Sequence, residues 1–304
     1  MSQKPPTIGT PRPRPPVPDP RLAEQFTRRL ARSHYENFLV VSWLLPKRLH
    51  QPMFNVYAYC RGVDDLGDEA EGDRLALLDD WERELEACYG GNPTAPTFVA
   101  LAETVRQYDL PMQLFRDLIQ ANRQDQTVSR YNTYADLEAY CRLSANPVGR
   151  LVLCLFGYRD EPRLALSDAT CTALQLANFW QDVASDYHQR GRIYLPLEDL
   201  RRFGCAEEGL AVGRIDPAWR ELMAFEVERA RRLFHEGLGL VDLVDRRLRI
   251  DLRLFSLGGV EILDRIEAAG YDVLSKRPHV PAARQLVLLM RALVSGPVRS
   301  PRGG

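Results

Sequence analysis

From about Arg21 to near Ser295, apolar residues recur at three- and four-residue spacing among Ala, Leu, Arg and Glu, all good helix formers. The spacing predicts helices over Pro20–His34, Gln51–Glu69, Gly72–Tyr89, Pro96–Tyr108, Pro111–Gln124 and Thr133–Arg142. It predicts six more over Pro147–Gly157, Ser167–Tyr187, Leu197–Phe203, Pro217–Leu243, Asp245–Ala269 and Pro281–Ser295. Breaks fall at Gly90-Gly91-Asn92-Pro93, Asp160-Glu161-Pro162, Gly191 and Arg277-Pro278, residues that interrupt helices through free or fixed φ. No alternating strand pattern of useful length occurs, and no repeat of solenoid period. The expected body is one all-α domain over residues 21–296. It is flanked by a Pro-rich disordered arm at 1–20, which holds eight of the twenty-one prolines, and a flexible tail at 297–304.

Two helices carry their polar residues on an unexpected stripe. Gln51–Glu69 is apolar at most positions, yet Tyr57, Arg61, Asp64 and Asp68 fall at i, i+4, i+7 and i+11. In Ser167–Tyr187, Gln175, Asn178, Asp182 and Asp186 fall at i, i+3, i+7 and i+11, while Leu174, Leu176, Ala177, Phe179, Trp180 and Val183 cover the other faces. A surface helix reverses these proportions. The arrangement points instead to two helices wrapped by protein, with four aspartates converging on one internal wet space.

Carboxylates gathered there need cations, because desolvating them unpaired costs many kcal/mol. An all-oxygen cluster poor in thiol and imidazole suits Mg²⁺, which keeps several waters and is completed by substrate phosphates. The implied ligand is a diphosphate, with Arg61, Arg190 and Arg192 placed to neutralise oxygens that the metal leaves uncovered.

Composition narrows the function. Forty Lys and Arg against forty-one Asp and Glu leave a net charge of -1, so no global basic field favours nucleic acid. Six scattered cysteines without a CxxC pair suggest reduced thiols in a cytoplasmic protein. No window reaches the ~20 apolar residues of a membrane-spanning helix.

With these stripes in view, the chain resembles the squalene/phytoene synthase family. The likeness runs through Ser33-His34-Tyr35-Glu36-Asn37-Phe38, Leu44-Leu45-Pro46, Tyr57 to Glu69, Tyr140-Cys141, Pro147-Val148-Gly149, Gln175 to Asp186, Gly191 to Pro196, and Gly270 to Leu274 with Arg277. The resemblance implies a single-domain isoprenoid synthase helical bundle around a central cavity. It further implies Mg²⁺ in two or three ions, held by Asp64, Asp68, Asp182 and Asp186, with no NADPH. His34, Arg61, Gln175, Asn178, Arg192 and Tyr194 would surround the diphosphate, and Phe38, Tyr57, Tyr140, Val148, Leu151, Phe179 and Phe255 would line a dry cavity for a carbocation. A structural or helix-capping role for His34 stands beside that reading.

Within the family the chain is most similar to the bacterial hopanoid-pathway branch that converts presqualene diphosphate to hydroxysqualene. Glu36-Asn37-Phe38, Ser144 to Gly149 and Asn178-Phe179-Trp180-Gln181-Asp182 carry this likeness, with Asn146 where other branches have Gly and Gln181 where they have Arg. Asn146 and Ser144 are the expected water-positioning groups, and Tyr140 joins the catalytic set. Coupling of two farnesyl diphosphates, phytoene synthesis, and a silent helical scaffold of an isoprenoid complex remain the alternatives. A lipophilic substrate and product point to peripheral membrane contact at the inner face and to neighbouring pathway enzymes.

Overall fold

In the computed structural model, residues 18–33 and 45–294 are described. His34 and Phe38, the Glu36-Asn37-Phe38 run and nearly all of the proline-rich arm lie outside them. The helices are α1 (Pro20–Ser33), α2 (Lys47–Asp68), α3 (Arg74–Tyr89), α4 (Pro96–Tyr108), α5 (Met112–Gln124), α6 (Tyr134–Ser144) and α7 (Asn146–Leu155). They continue with α8 (Glu161–Arg190), α9 (Leu197–Arg202), α10 (Glu207–Ala211), α11 (Pro217–Gly237), a 3-10 turn at Leu238–Asp242, α12 (Arg246–Ala268) and α13 (Ala282–Val294). Among the described residues the only β element is an isolated parallel bridge, Arg130 to Ile193.

Helix ends follow local chemistry. Asp73, Asp160, Asp216 and Asp245 cap α3, α8, α11 and α12 through side-chain bonds to backbone N–H groups, and Thr133 opens α6 with Asp136 in a capping box. Two helices begin earlier than their patterns predict. In α8 the Asp160-Glu161-Pro162 run is a start signal as well as a break, because proline is favoured in a first turn that needs no donor. In α2 the helix passes through Pro52, whose missing N–H frees the Arg48 carbonyl, and the Tyr108 hydroxyl donates to that carbonyl at 3.5 Å. The five-residue α10 is too short to show periodicity, and the predicted Pro217–Leu243 helix tightens into the 3-10 turn at its end.

Two apolar clusters flank the functional space. One joins α2 to α5 with α7 through Tyr59, Phe98, Phe115, Leu118 and Leu151; the other surrounds α8 and α11 through Leu176, Trp180, Leu222, Val227 and Phe234. Helix α2 packs on α1, α3, α4, α5 and α7, and α8 packs on α6, α7, α11 and α12. Each aspartate helix is therefore braced from behind by its own core, with its polar stripe left facing inward.

One buried charge belongs to neither cluster. Asp251 on α12 is 1% exposed and both its carboxyl oxygens lack a hydrogen-bond partner. Burial, reinforced by Asp245, pushes its carboxyl up to about 8. The folded chain thus holds this proton more tightly than the unfolded chain does, so stability present below pH ~4 declines as pH rises toward the folded value. Replacing the group by Asp251→Asn should leave stability unchanged near pH 4. By pH 8 the variant should exceed wild type by a few kcal/mol, on the order of 1.4 kcal/mol for each pH unit crossed, as measured by urea unfolding across that range.

Candidate active site

A cavity of about 290 Å³ opens between α2 and α8. Its lining includes Arg61, Asp64, Asp65, Asp68 and Glu69 from α2 and its end, and Gln175, Asn178, Phe179, Asp182, Asp186 and Arg190 from α8. Tyr140 and Ser144 enter from α6, Arg192 and Tyr194 from the strap after α8, and Leu118, Ala121, Asn122 and Asp125 from the end of α5. The two predicted stripes therefore face one another. Among the described residues predicted for the site, Asn146 and Val148 lie off this lining, as do Tyr57, Leu151 and Phe255. Asn146 is buried and accepts from the Thr172 hydroxyl at 3.0 Å, tying α7 to α8, and Leu151 is fully buried in the core.

The strap is aimed by a turn that the sequence supplies. Gly191 takes a left-handed φ of 64°, ending α8, and the Arg192 N–H then donates to the Asp186 carbonyl at 3.0 Å. Bonds from Ile193 N–H to Ser129, Leu197 N–H to Tyr131 and Glu198 N–H to Asn132 pin the strap beside residues 129–132. Arg192 is thereby held 7% exposed, with its guanidinium 3.0 Å from an Asp68 oxygen, 3.6 Å from an Asp125 carboxyl oxygen and donating to the Asp125 carbonyl at 3.0 Å. Arg190 spans the cavity mouth, 3.4 Å from Asp68 and 3.3 Å from Asp186. Arg190 thus stands between carboxylates of α2 and α8, and Arg192 between Asp68 of α2 and Asp125 at the end of α5.

Asp125 is the functional candidate that the sequence pattern did not single out. It accepts from the Tyr140 hydroxyl at 2.7 Å and from the Tyr194 hydroxyl at 3.5 Å, so it joins α5, α6 and the strap. Its signal was present, since Leu118, Ala121, Asn122 and Asp125 share a stripe at i, i+3, i+4 and i+7, but only two of these are polar. Close helix approach completes this wall. Gly67 of α2 sits where any Cβ would strike the Asn122 side chain at 2.0 Å, and Asn122 donates to an Asp64 oxygen at 3.4 Å.

The electrostatics of the cavity favour a cationic ligand. Loss of solvation among the surrounding groups pushes Asp64 up to about 6, reinforced by Asp68 and Asp65 and opposed by Asn122 and Arg61. Asp186 is likewise raised to about 6 by burial and by Asp182, and Asp125 to about 6 by burial against the pull of Arg192. Among the described residues no three His, Cys, Asp or Glu side chains come together as a preformed ion cage. Carboxylates on two walls, all hard oxygen donors, fit an ion that takes its remaining ligands from water and a phosphate, as Mg²⁺ does.

Below the carboxylates the wall turns aromatic. Phe179 and Tyr194 stack with centroids 3.8 Å apart and planes within 8°, and Tyr140 and Tyr131 lie 5.8 Å from the Tyr194 ring. Such faces attract a cation through their quadrupoles. On the opposite rim, Arg277 pairs with Asp182 and also donates to Gln181 at 3.2 Å, while Gln181 donates to the Pro278 carbonyl at 2.5 Å. Gln181 thus receives Arg277 and helps to hold its guanidinium against Asp182.

Removing one member of the Arg192–Asp125–Asp68 group should expose the cost of the others. Arg192→Leu should lose about 3 kcal/mol of stability at neutral pH, because Asp125 is left nearly buried and uncompensated. Arg192→Leu combined with Asp125→Asn should recover much of that loss in the same urea titration.

Comparison with known proteins agrees with this geometry. The squalene/phytoene synthase family profile matches residues 31–284. A phytoene synthase from Arthrospira platensis is 34% identical over 287 residues, covering 87% of this chain and 90% of that protein. Among solved structures, the squalene synthase HpnC from Alicyclobacillus acidocaldarius is 50% identical, with a TM-score of 0.80 over 83% of this chain and 96% of that one. A dehydrosqualene synthase solved with a ligand is 28% identical, with a TM-score of 0.82 over 90% and 98% of the two chains. With most of its length matched and an isoprenoid synthase helical fold around an aspartate-lined cavity, the chain belongs to the squalene/phytoene synthase family.

Proposed function

We propose that this protein ionises presqualene diphosphate in a Mg²⁺-dependent reaction and captures water to give hydroxysqualene and diphosphate. The observation that carries the reading is the facing pair of aspartate stripes above an aromatic floor in one cavity. The 50% identity to a squalene synthase, against 29% to 36% for eight phytoene synthases, supports a squalene-type carbon skeleton. When bound, Mg²⁺ would supply Lewis-acid stabilisation of the charge growing on the departing diphosphate.

The chain's own residues do the rest. Asp64 and Asp68 on one wall and Asp182 and Asp186 on the other would hold the ions, and the carboxyls of Asp64 and Asp186, raised by burial, would have to be deprotonated to do so. Arg61, Arg190 and Arg192 turn from carboxylates toward phosphate oxygens, and the Gln175 and Asn178 amides orient the group. Phe179, Tyr194 and Tyr140 give the cavity an aromatic lining that would stabilise the allylic or cyclopropylcarbinyl cation and keep bulk water from it. His34 remains a proposed contact to the diphosphate, and Phe38 and Val148 to the prenyl chains. Water capture is assigned to the Ser144 and Asn146 corner; Ser144 lines the cavity with a hydroxyl that lacks a partner, and Asn146 fixes the α7 start beside it.

Coupling of two farnesyl diphosphates is the second reading, and a specific contact favours it. Arg277 stands at Asp182 and so returns a phosphate-binding cation to the rim that Gln181 had suggested was weakened. Incubation of the purified chain with Mg²⁺ and either presqualene diphosphate or farnesyl diphosphate, with and without NADPH, separates the two. Hydroxysqualene from presqualene diphosphate alone, independent of NADPH, is the expected result, and consumption of farnesyl diphosphate would establish coupling. Asp64→Ala or Asp186→Ala should lower diphosphate release by at least about a hundredfold. Ser144→Ala should retain diphosphate release while shifting product away from the alcohol; an unchanged product ratio would remove Ser144 from water capture.

A further inference from the structure

The residues that end α5 are pinned from two sides. Asp125 follows the last residue of α5, and its N–H donates to the Ala121 carbonyl at 3.0 Å. The next side chain, Gln126, donates to the Gly67 carbonyl at 3.0 Å and to the Asn122 carbonyl at 2.9 Å, which ties this turn to the end of α2. The Asp125 side chain is thereby held 9% exposed, with the Tyr140 hydroxyl 2.7 Å from one carboxyl oxygen and the Tyr194 hydroxyl 3.5 Å from the other. Arg192 stands 3.6 Å from the first of these oxygens and favours the ionised carboxylate.

The direction of the Tyr140 bond follows from the groups themselves. A carboxylate only accepts, and burial holds the Tyr140 phenol well above its ordinary value, so the proton between them belongs to tyrosine and points at Asp125. A phenol has a single proton to give. With it committed to Asp125, the Tyr140 oxygen offers only lone pairs to the cavity that it lines. One helical turn further along α6, Ser144 lines the same cavity with a hydroxyl that lacks a partner. A water that donates to Tyr140 and accepts from Ser144 keeps a lone pair free, and a lone pair is what a carbocation captures. Were the Tyr140 proton turned into the cavity, both hydroxyls would donate to the water and none of its lone pairs would remain for the cation.

We infer that Asp125 is a positioning residue for water capture: by holding the Tyr140 proton it makes that oxygen an acceptor and leaves the reacting water a lone pair for the cation. The inference rests on the hydroxysqualene reading and adds to it the group that sets the polarity of the water site. Asp125 acts through Tyr140 and not on the substrate. An acceptor at this place is what the role requires, so an amide oxygen serves where an alkyl group does not.

Product partition in the full chain, supplied with Mg²⁺ and presqualene diphosphate, tests the assignment, because the ratio of alcohol to hydrocarbon is independent of how fast each variant turns over. Asp125→Leu should lower that ratio at least about fivefold, the worth of one hydrogen bond, Tyr140→Phe should do the same, and Asp125→Asn should stay within about twofold of wild type. The bond is also read without turnover. In protein with an NMR-active carbon label at tyrosine Cζ, the resonance that Tyr140→Phe removes should move upfield in Asp125→Leu and keep its place in Asp125→Asn. An unmoved resonance in a folded Asp125→Leu overturns the assignment, as does an unchanged ratio in Tyr140→Phe, which decides the matter even where Asp125→Leu fails to fold. Equal losses in Asp125→Asn and Asp125→Leu also overturn it, because the charge facing Arg192 would then be what counts. A wild-type chain that forms no alcohol overturns the hydroxysqualene reading instead, and the resonance shift tells that failure apart by still reporting the bond from Tyr140 to Asp125.

Discussion

Seven carboxylates line one cavity here, four of them on the two facing helix stripes, and their mutual repulsion is the constraint around which the molecule is arranged. Placing Asp64, Asp68, Asp182 and Asp186 together is unfavourable without compensating cations. The fold answers with Arg190 and Arg192, both delivered by the end of α8 and its Gly191 turn, each bridging carboxylates from different elements. A protein that only needed to be stable would replace such a set with apolar packing. Retaining it is intelligible when another cation takes over the same carboxylates and the arginines move on to phosphate.

Rigid support makes that exchange workable. Neither aspartate helix relies on the other for packing, because α2 rests on the α3–α5 side and α8 on α11 and α12. The walls stay in place while charges between them rearrange. Gly67 brings α5 close enough for Asn122 to reach Asp64, and Asp125 at the next turn joins Tyr140, Tyr194 and Arg192. The carboxylate end and the aromatic end of the cavity are thus linked through shared hydrogen bonds.

Much of this was legible because helical periodicity writes burial directly into spacing. The aspartate stripes stood out as polar minorities on apolar helices, and facing each other is what two such helices must do. Misplacements have local causes. Proline in a first turn looks identical to a helix stop until the Asp160 cap is seen, and at Pro52 the carbonyl that loses its helical partner is met by Tyr108, far along the chain. Asp125 escaped notice because its function depends on the strap at 193–198 docking beside residues 129–132, a pairing that no periodicity encodes. Asn146, read as a cavity group from its substitution, proved to spend its oxygen on Thr172.

The case of Gln181 shows why a single position is a poor guide to electrostatics. Its sequence reading was a lost guanidinium, hence a weaker phosphate site. In the fold Gln181 uses its amide to hold the Pro278 carbonyl and to receive Arg277, whose guanidinium then reaches Asp182. Arg277, ninety-five positions from Asp182 in sequence, meets it only because the segment between α12 and α13 returns beside α8, a proximity that no reading of position 181 alone contains.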